Sequence, residues 1–315
     1  MKSRIAAIIL AICLTLSVLC GCTPQSINED DKLQILCSIF APYDFARQVA
    51  GDRAEVKMLL PPGVESHSFE PSPADIISLD NADLFFYVSE NTETWVCGML
   101  DSVSPKQAID ISEALGIEVH EHDHEHEHEH EHEEHEHEED EKDEHIWTDM
   151  NTAIQMVDLI ADKLSQADEK NSSYYNENAK KYINEIKNLR DDFSLMINNS
   201  ARKEIVSGSR FAMKNFTNEF GLKFTAAFDS CVDNTEPSAA VMANIIDTIK
   251  KDKIPVVFYE ELTEPKISRA VSVETGAKML LLHSCHNVSV SEMKSGVTYL
   301  SLMKQNYTNI KEALN

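Results

Sequence analysis

The stretch Ser173–Asn198 reads SYYNENAKKYINEIKNLRDDFSLMIN and contains neither glycine nor proline. Its apolar side chains recur at steps of three and four residues, at Tyr175, Ala179, Tyr182, Ile186, Leu189, Phe193 and Met196. This spacing places one apolar stripe along an α-helix. At 1.5 Å per residue the helix is about 39 Å long, which is enough to run beside two packed lobes. We therefore predict one rigid linking helix within residues 171–200.

Short β-rich runs alternate with helical patterns on both sides of this helix. The strand-like runs before it are Leu33–Ile39, Ala54–Leu60, Leu84–Val88 and Ala108–Ile111. Those after it are Glu204–Ser207, Lys223–Phe228, Pro255–Tyr259 and Lys278–Leu282. Ser291–Leu314 is expected to close the chain as a single helix. Such alternation indicates parallel sheets covered on both faces. The predicted fold class is α/β, with Rossmann-like lobes at residues 33–170 and 201–315.

The amino terminus has the pattern of an export signal. A positively charged start is followed by the mostly apolar run Ile5–Leu19. Leu19–Cys22 is similar to the bacterial lipoprotein signal, in which the last cysteine becomes acylated after cleavage. We expect residues 1–22 to be a signal peptide, Cys22 to carry lipid, and residues 23–32 to form a tether. A plain secretory signal or an uncleaved anchor stays open. Each of the three places the body outside the cytoplasm.

Acidity is concentrated in one segment. The chain carries 28 basic and 54 acidic residues, for a formal net charge of −26. Residues 120–144 alone hold nine histidines and fifteen carboxylates against one lysine. We expect this loop, 119–144, to be mobile and to bind several zinc ions loosely. Its histidines are His120, His122, His124, His126, His128, His130, His132, His135 and His137. The net charge favours cations and argues against nucleic acid as a partner.

The four remaining histidines fall at or near predicted junctions between strands and loops. They are His67, His145, His283 and His286. Imidazole is a common ligand of borderline metals, and ligands of open parallel sheets gather at the carboxyl ends of strands. We predict a metal site there, with Glu260 as a weaker oxygen candidate. Cys231 and Cys285 also follow strand-like segments, and they could either bridge or ligate.

Five motifs carry a resemblance to a known family. They are Gly63–Pro71 (GVESHSFEP), His145–Asp149 (HIWTD), Phe220–Leu222 (FGL), Glu236–Ser238 (EPS) and Thr275–Lys278 (TGAK). With these motifs in this order, the chain resembles the substrate-binding lipoproteins of bacterial zinc and manganese ABC importers, the cluster A-I solute-binding proteins. The resemblance covers nearly the whole chain after the signal. It implies two lobes, one rigid helix between them and a metal in the cleft.

The resemblance also implies a ligand set, from which this chain departs twice. His67 and His145 match the first two family positions. The third position, usually His or Glu, falls on Arg210, which cannot ligate zinc. We expect Arg210 to pair with a cleft carboxylate such as Glu236. The fourth, acidic position falls on His283, so we expect His283 to bind, with His286 or a water completing the shell.

The leading hypothesis is a lipid-anchored, monomeric zinc receptor that delivers Zn²⁺ to an ABC permease and catalyses no reaction. The nitrogen-rich ligand set favours zinc over manganese. A manganese receptor of the same class remains the first alternative. A zinc hydrolase is a weaker one, because no HExxH motif is present outside the alternating acidic segment. A surface adhesin that uses the acidic loop is the third.

Overall fold

The amino-terminal half is built on a parallel β-sheet. The computed structural model describes residues 32–66, 68–103, 105–119, 143–228 and 237–315. The strands are β1 Leu33–Cys37, β2 Ala54–Met58, β3 Leu84–Tyr87 and β4 Ala108–Asp110, in the order β2-β1-β3-β4. The helices between and after them are α1 Phe40–Ala50, α2 Pro73–Asp80, α3 Thr94–Leu100 and α4 Ile111–Leu115. Every residue of β3 is buried, as expected for a strand covered on both faces.

Two consecutive helices follow. They are α5 Met150–Ala167 and α6 Ser172–Asn199. Asp149 caps α5, since its side chain accepts hydrogen bonds from the backbone of Asn151 and Thr152 at 2.9 and 3.0 Å. Helix α6 occupies the predicted linking segment, and all seven residues of the predicted apolar stripe are buried. No described helix is long and apolar enough to cross a membrane.

The carboxyl-terminal half repeats the architecture of the first. Its strands are β5 Glu204–Ser207, β6 Lys223–Ala226, β7 Val256–Tyr259 and β8 Lys278–Leu281, all parallel, in the order β6-β5-β7-β8. Its helices are α7 Lys214–Phe220, α8 Ala239–Asp252, α9 Lys266–Thr275, α10 Val290–Ser295 and α11 Tyr299–Leu314. The chain divides into the units Met1–Lys32 and Leu33–Asn315, and both sheets belong to the second. The predicted α/β fold with two parallel-sheet lobes is confirmed.

The closing segment is two helices, so the prediction of a single helix over Ser291–Leu314 was wrong. Gly296 ends α10 in the left-handed conformation, at φ 74°, which glycine adopts at little cost. The Thr298 side chain then accepts from the backbone of Ser301 at 3.0 Å and starts α11. Gly296 ends one helix and Thr298 starts the next two residues later, so a single helix cannot continue through this segment.

The buried carboxylate of Asp44 on α1 joins three elements. One oxygen accepts hydrogen bonds from the Tyr182 hydroxyl on α6 and from the backbone N–H of Tyr299 in α11, both at 2.8 Å. The other accepts from Arg47 Nε at 2.7 Å. Arg47 also donates to the carbonyl of Val297, between α10 and α11. Since a buried carboxylate is tolerated only when donors surround it, these elements hold one another in place.

We expect Asp44→Asn to destabilise the protein by about 3 kcal/mol, because the new amide turns a donor toward groups that need an acceptor. The free energy of unfolding, measured by urea denaturation, tests this. Asp191→Asn is the control: its carboxylate on α6 is exposed and 3.6 Å from Arg190. The control should change stability by no more than about 0.5 kcal/mol. Equal stability of the two variants would show that Asp44 does not join the elements as described.

Candidate metal centre

A cleft with about 440 Å³ of empty space contains side chains from both halves of Leu33–Asn315. Its ionisable lining residues are Glu65, His145, Arg210, Glu260, Glu261 and His286. Four of these six sit in loops that follow β5, β7 and β8, while Glu65 follows β2 and His145 precedes α5. The carboxyl ends of parallel strands are where open α/β sheets bind ligands. The topology therefore brings three of the predicted site residues, His145, Glu260 and His286, to one place.

His145 is held by a carboxylate from its own loop. Its ring Nδ1 lies 2.6 Å from Asp143 Oδ1, and its side chain is almost completely buried. Burial raises the pKa of Asp143, but the attraction of His145 and Lys214 outweighs this and leaves the pKa below its ordinary value. With Nδ1 donating to this carboxylate, the neutral imidazole carries its lone pair on Nε2. A carboxylate behind a histidine in this way orients the ring and increases its basicity toward a metal.

His286 meets His145 from the other half of the chain. The two ring centroids are 5.3 Å apart, and the rings are nearly perpendicular at 80°. The indole of Trp147 lies 5.2 Å from the His286 ring and donates from Nε1 to the carbonyl of Ser284 at 2.8 Å. The carbonyl of His286 accepts from the backbone of Phe40 at 3.1 Å. The loop that carries His286 is thus positioned by bonds that cross between the halves.

His283 lies behind the cleft and does not line it. Its side chain is fully buried, and its Nδ1 accepts from the backbone N–H of Cys285 at 2.9 Å. Its backbone N–H and carbonyl are both bonded to the Asn306 side chain, at 2.9 and 2.8 Å. Cys285 is a buried free thiol with a backbone φ of 61°, and it does not line the cleft either. Of the two neighbouring histidines, the structure brings His286 into contact with the cleft.

Three carboxyl groups and one guanidinium line the cleft. Burial, with the neighbouring charge of Glu261, raises the pKa of Glu260 to about 8, and His145 and Arg210 oppose this shift. Glu261 accepts from the backbone and hydroxyl of Ser284 at 2.9 and 2.5 Å, so it holds the loop after β8. Arg210 Nη1 lies 3.5 Å from Glu65 Oε1. The expected partner Glu236 lies outside the described residues.

Several predicted site residues fall outside the described part of the chain. They are Cys22, His67, Cys231 and the nine histidines of the acidic segment. Within the described residues, no group of three His, Cys, Asp or Glu side chains could hold a metal ion. His145 and His286 are therefore a pair that requires further donors. The sequence position of His67, one residue after the cleft residue Ser66, fits such a donor.

A second, smaller cavity of about 250 Å³ adjoins this region and contains a buried carboxylate. Its lining includes Ser66, Glu93, Glu144, Trp147 and His286. Glu93 accepts a hydrogen bond from the backbone of Val88 at 2.5 Å. Burial is the main cause that raises the pKa of Glu93 to about 7, although hydrogen bonds to its carboxylate oppose the shift.

Sequence reasoning missed three of these residues. Asp143 was counted as part of the acidic segment, although its position two residues before His145 was the available signal. Glu65 was quoted within a motif without a role. Glu93 gave no signal, because a lone glutamate in the loop between a predicted strand and the next helix is usually exposed.

Comparisons with known proteins show the family of the chain. The model of the family ZnuA, described as zinc-uptake complex component A, periplasmic, matches residues 35–313. The high-affinity zinc uptake system protein ZnuA of Bacillus subtilis (strain 168) is 32% identical over 97% of this chain and 96% of its own length. The zinc-binding lipoprotein AdcA of Streptococcus pneumoniae (strain ATCC BAA-255 / R6) is 30% identical over 98% of this chain, which spans 60% of that protein. The crystal structure of the Zn(II)-bound ZnuA-like domain of Streptococcus pneumoniae AdcA has a TM-score of 0.70 at 29% identity, covering 90% of this chain and 99% of that one.

The raised pKa of Glu93 predicts a pH dependence of the stability of the metal-free protein. In the unfolded chain this carboxyl titrates near 4.5, and in the folded protein near 7. Between these values the folded state binds a proton that the unfolded state has lost, so stability falls as pH rises through this window. We expect Glu93→Gln to remove about 3 kcal/mol of this dependence between pH 4.5 and 7. Urea denaturation of both proteins across this range measures it, and parallel curves would contradict it.

Proposed function

We propose that this chain, which belongs to the zinc-uptake complex component A family, captures Zn²⁺ outside the cytoplasm and delivers it to an ABC importer. The observation that carries the proposal is the meeting of His145 and His286, whose ring centroids lie 5.3 Å apart in one cleft. Capture and release of an ion require no bond chemistry, so the protein is a receptor and not an enzyme. Names of relatives that mention zinc uptake and zinc binding support the choice of metal.

The proposed ligands are His67, His145 and His286. Zinc takes four nitrogen, sulfur or oxygen donors, so the carboxylate of Glu260 or a water completes the shell. Imidazole-rich sites favour zinc, whereas manganese prefers carboxylate-rich ones. His283 contributes differently: its Nδ1 is already bonded to the backbone of Cys285, so it supports the loop that carries His286.

The proposed ligands are tested by replacing each with alanine. We expect His145→Ala and His286→Ala to weaken zinc binding by about 100-fold or more, because each removes a nitrogen donor from a small ligand set. Competition with a chromogenic zinc chelator measures the dissociation constant, and circular dichroism checks the fold. His128→Ala, within the acidic segment, is the matched control and should leave the tight site intact. Wild-type affinity in both cleft variants would refute the proposed site.

The histidine-rich segment is proposed to collect zinc for the cleft. Residues 120–142 lie outside the described part of the chain, so this rests on their alternating imidazoles and carboxylates. Its affinity should decrease as protons compete at lower pH.

Replacing residues 120–142 with a short glycine-serine linker separates the two kinds of binding. This change spares Val119 and Asp143, which are both part of the folded structure. We expect several weakly bound zinc ions to be lost while one tight site per chain remains, and equilibrium dialysis counts both. Loss of the tight site would mean that the segment supplies ligands to the cleft itself.

We further propose that the protein is a monomer attached to the outer face of the cell membrane through lipid on Cys22. The signal at residues 1–22 supports this, and a relative 30% identical to the chain is named a lipoprotein. Attachment would keep the receptor beside its permease, so that a captured ion does not diffuse away.

A further inference from the structure

The guanidinium of Arg210 lies in the cleft that contains the two histidines. Arg210 follows β5 in the carboxyl-terminal half, and only 20% of its side chain is exposed. Its Nη1 lies 3.5 Å from Glu65 Oε1, in the loop after β2. Glu260, which follows β7 in the carboxyl-terminal half, lines the same cleft. The guanidinium thus lies in one cleft with carboxyl groups of both halves.

This arrangement disfavours a second cation nearby. A guanidinium stays protonated at every relevant pH and has no lone pair to give a metal. A divalent ion held by His145 and His286 would be repelled by it and would have to compete with it for Glu65 and Glu260. In a partly buried cleft such repulsion is screened less than at the surface.

The contact between Arg210 and Glu65 is a minor part of what joins the two halves. It is long for an ion pair, at 3.5 Å, and 43% of the Glu65 side chain is exposed. Pairs of this kind add little to stability. The halves are already joined by shorter bonds, including that from Asn287 Nδ2 to the Val64 carbonyl at 2.7 Å and that from the Gly63 backbone to the Val288 carbonyl at 2.8 Å.

We propose that Arg210 is a built-in competitor of the bound metal ion, which shares the cleft carboxylates with it and thereby speeds its release. The inference rests on the zinc-receptor function proposed above. Arg210 then sets how tightly the cleft retains zinc, since it compensates the charge of Glu65 when the metal leaves. When the zinc ion is bound, the positive charge of Arg210 repels it and favours its release.

Three variants separate the charge of Arg210 from its shape. We expect Arg210→Gln to bind zinc about tenfold more tightly, with most of the gain in a slower dissociation rate. Arg210→Lys keeps the charge and should stay within about threefold of wild type. Arg269→Gln is the matched control, because Arg269 is an exposed arginine of the same half, 3.1 Å from Glu264, and does not line the cleft. Chelator competition gives the affinity, stopped-flow transfer of zinc to a chelator gives the dissociation rate, and urea denaturation gives the stability of the metal-free proteins.

A tighter Arg210→Gln beside a near-wild-type Arg210→Lys supports the inference. Unchanged or weaker zinc binding by Arg210→Gln overturns it, as does an equal gain in Arg269→Gln. Both results leave the proposed function intact as long as wild-type binding depends on His145 and His286. If wild-type binding does not depend on those histidines, the receptor function itself fails.

Discussion

The structure depends on one buried carboxylate. Asp44 is fully enclosed, and it accepts hydrogen bonds from α6, from α11 and from Arg47 on its own helix. A charge removed from water must be matched by donors, so each contributing element is restricted to the position in which its donor reaches Asp44. The helix between the halves and the last helix of the chain are thereby fixed against the first. The proposed metal site is assembled from both halves and needs this rigidity, because mobile side chains bind a metal ion more weakly.

The cleft histidines are positioned by hydrogen bonds and ring contacts within the protein, without a metal ion. Asp143 orients the ring of His145, and Trp147 both contacts His286 and bonds to Ser284. Glu261 then secures the loop after β8. At the proposed metal site, ligands held in this way lose less conformational freedom when the ion binds, so more of their interaction with the ion contributes to affinity. The opposing charge of Arg210 works in the other direction, and the two effects together define a receptor that must both hold and release its cargo.

Much of the fold was predictable from periodicity. The stripe of α6, the alternation of strands and helices and the cap at Asp149 all follow from local rules. The break at Gly296 was missed because its signals were outweighed by the helical pattern around them. The site was harder to predict from the sequence. His283 and His286 lie three residues apart and are equivalent in the sequence pattern. Only the turn at Cys285, with its φ of 61°, separates the buried His283 from His286 in the cleft. The contact of Arg210 with Glu65 was also beyond sequence reasoning, because the two residues are 145 positions apart in the chain.

The bond between Asp44 and the backbone of Tyr299 joins positions 255 residues apart. A contact of such long range closes late in folding. During synthesis or passage through a translocation pore, the first helix emerges long before its final donor, so Asp44 stays incompletely paired until the last helix has followed. The contact between α1 and α11 can therefore form only after every element between them in the chain has been made. A chain without α11 would leave Asp44 without its backbone donor at Tyr299, and so without one of the hydrogen bonds that match its buried charge.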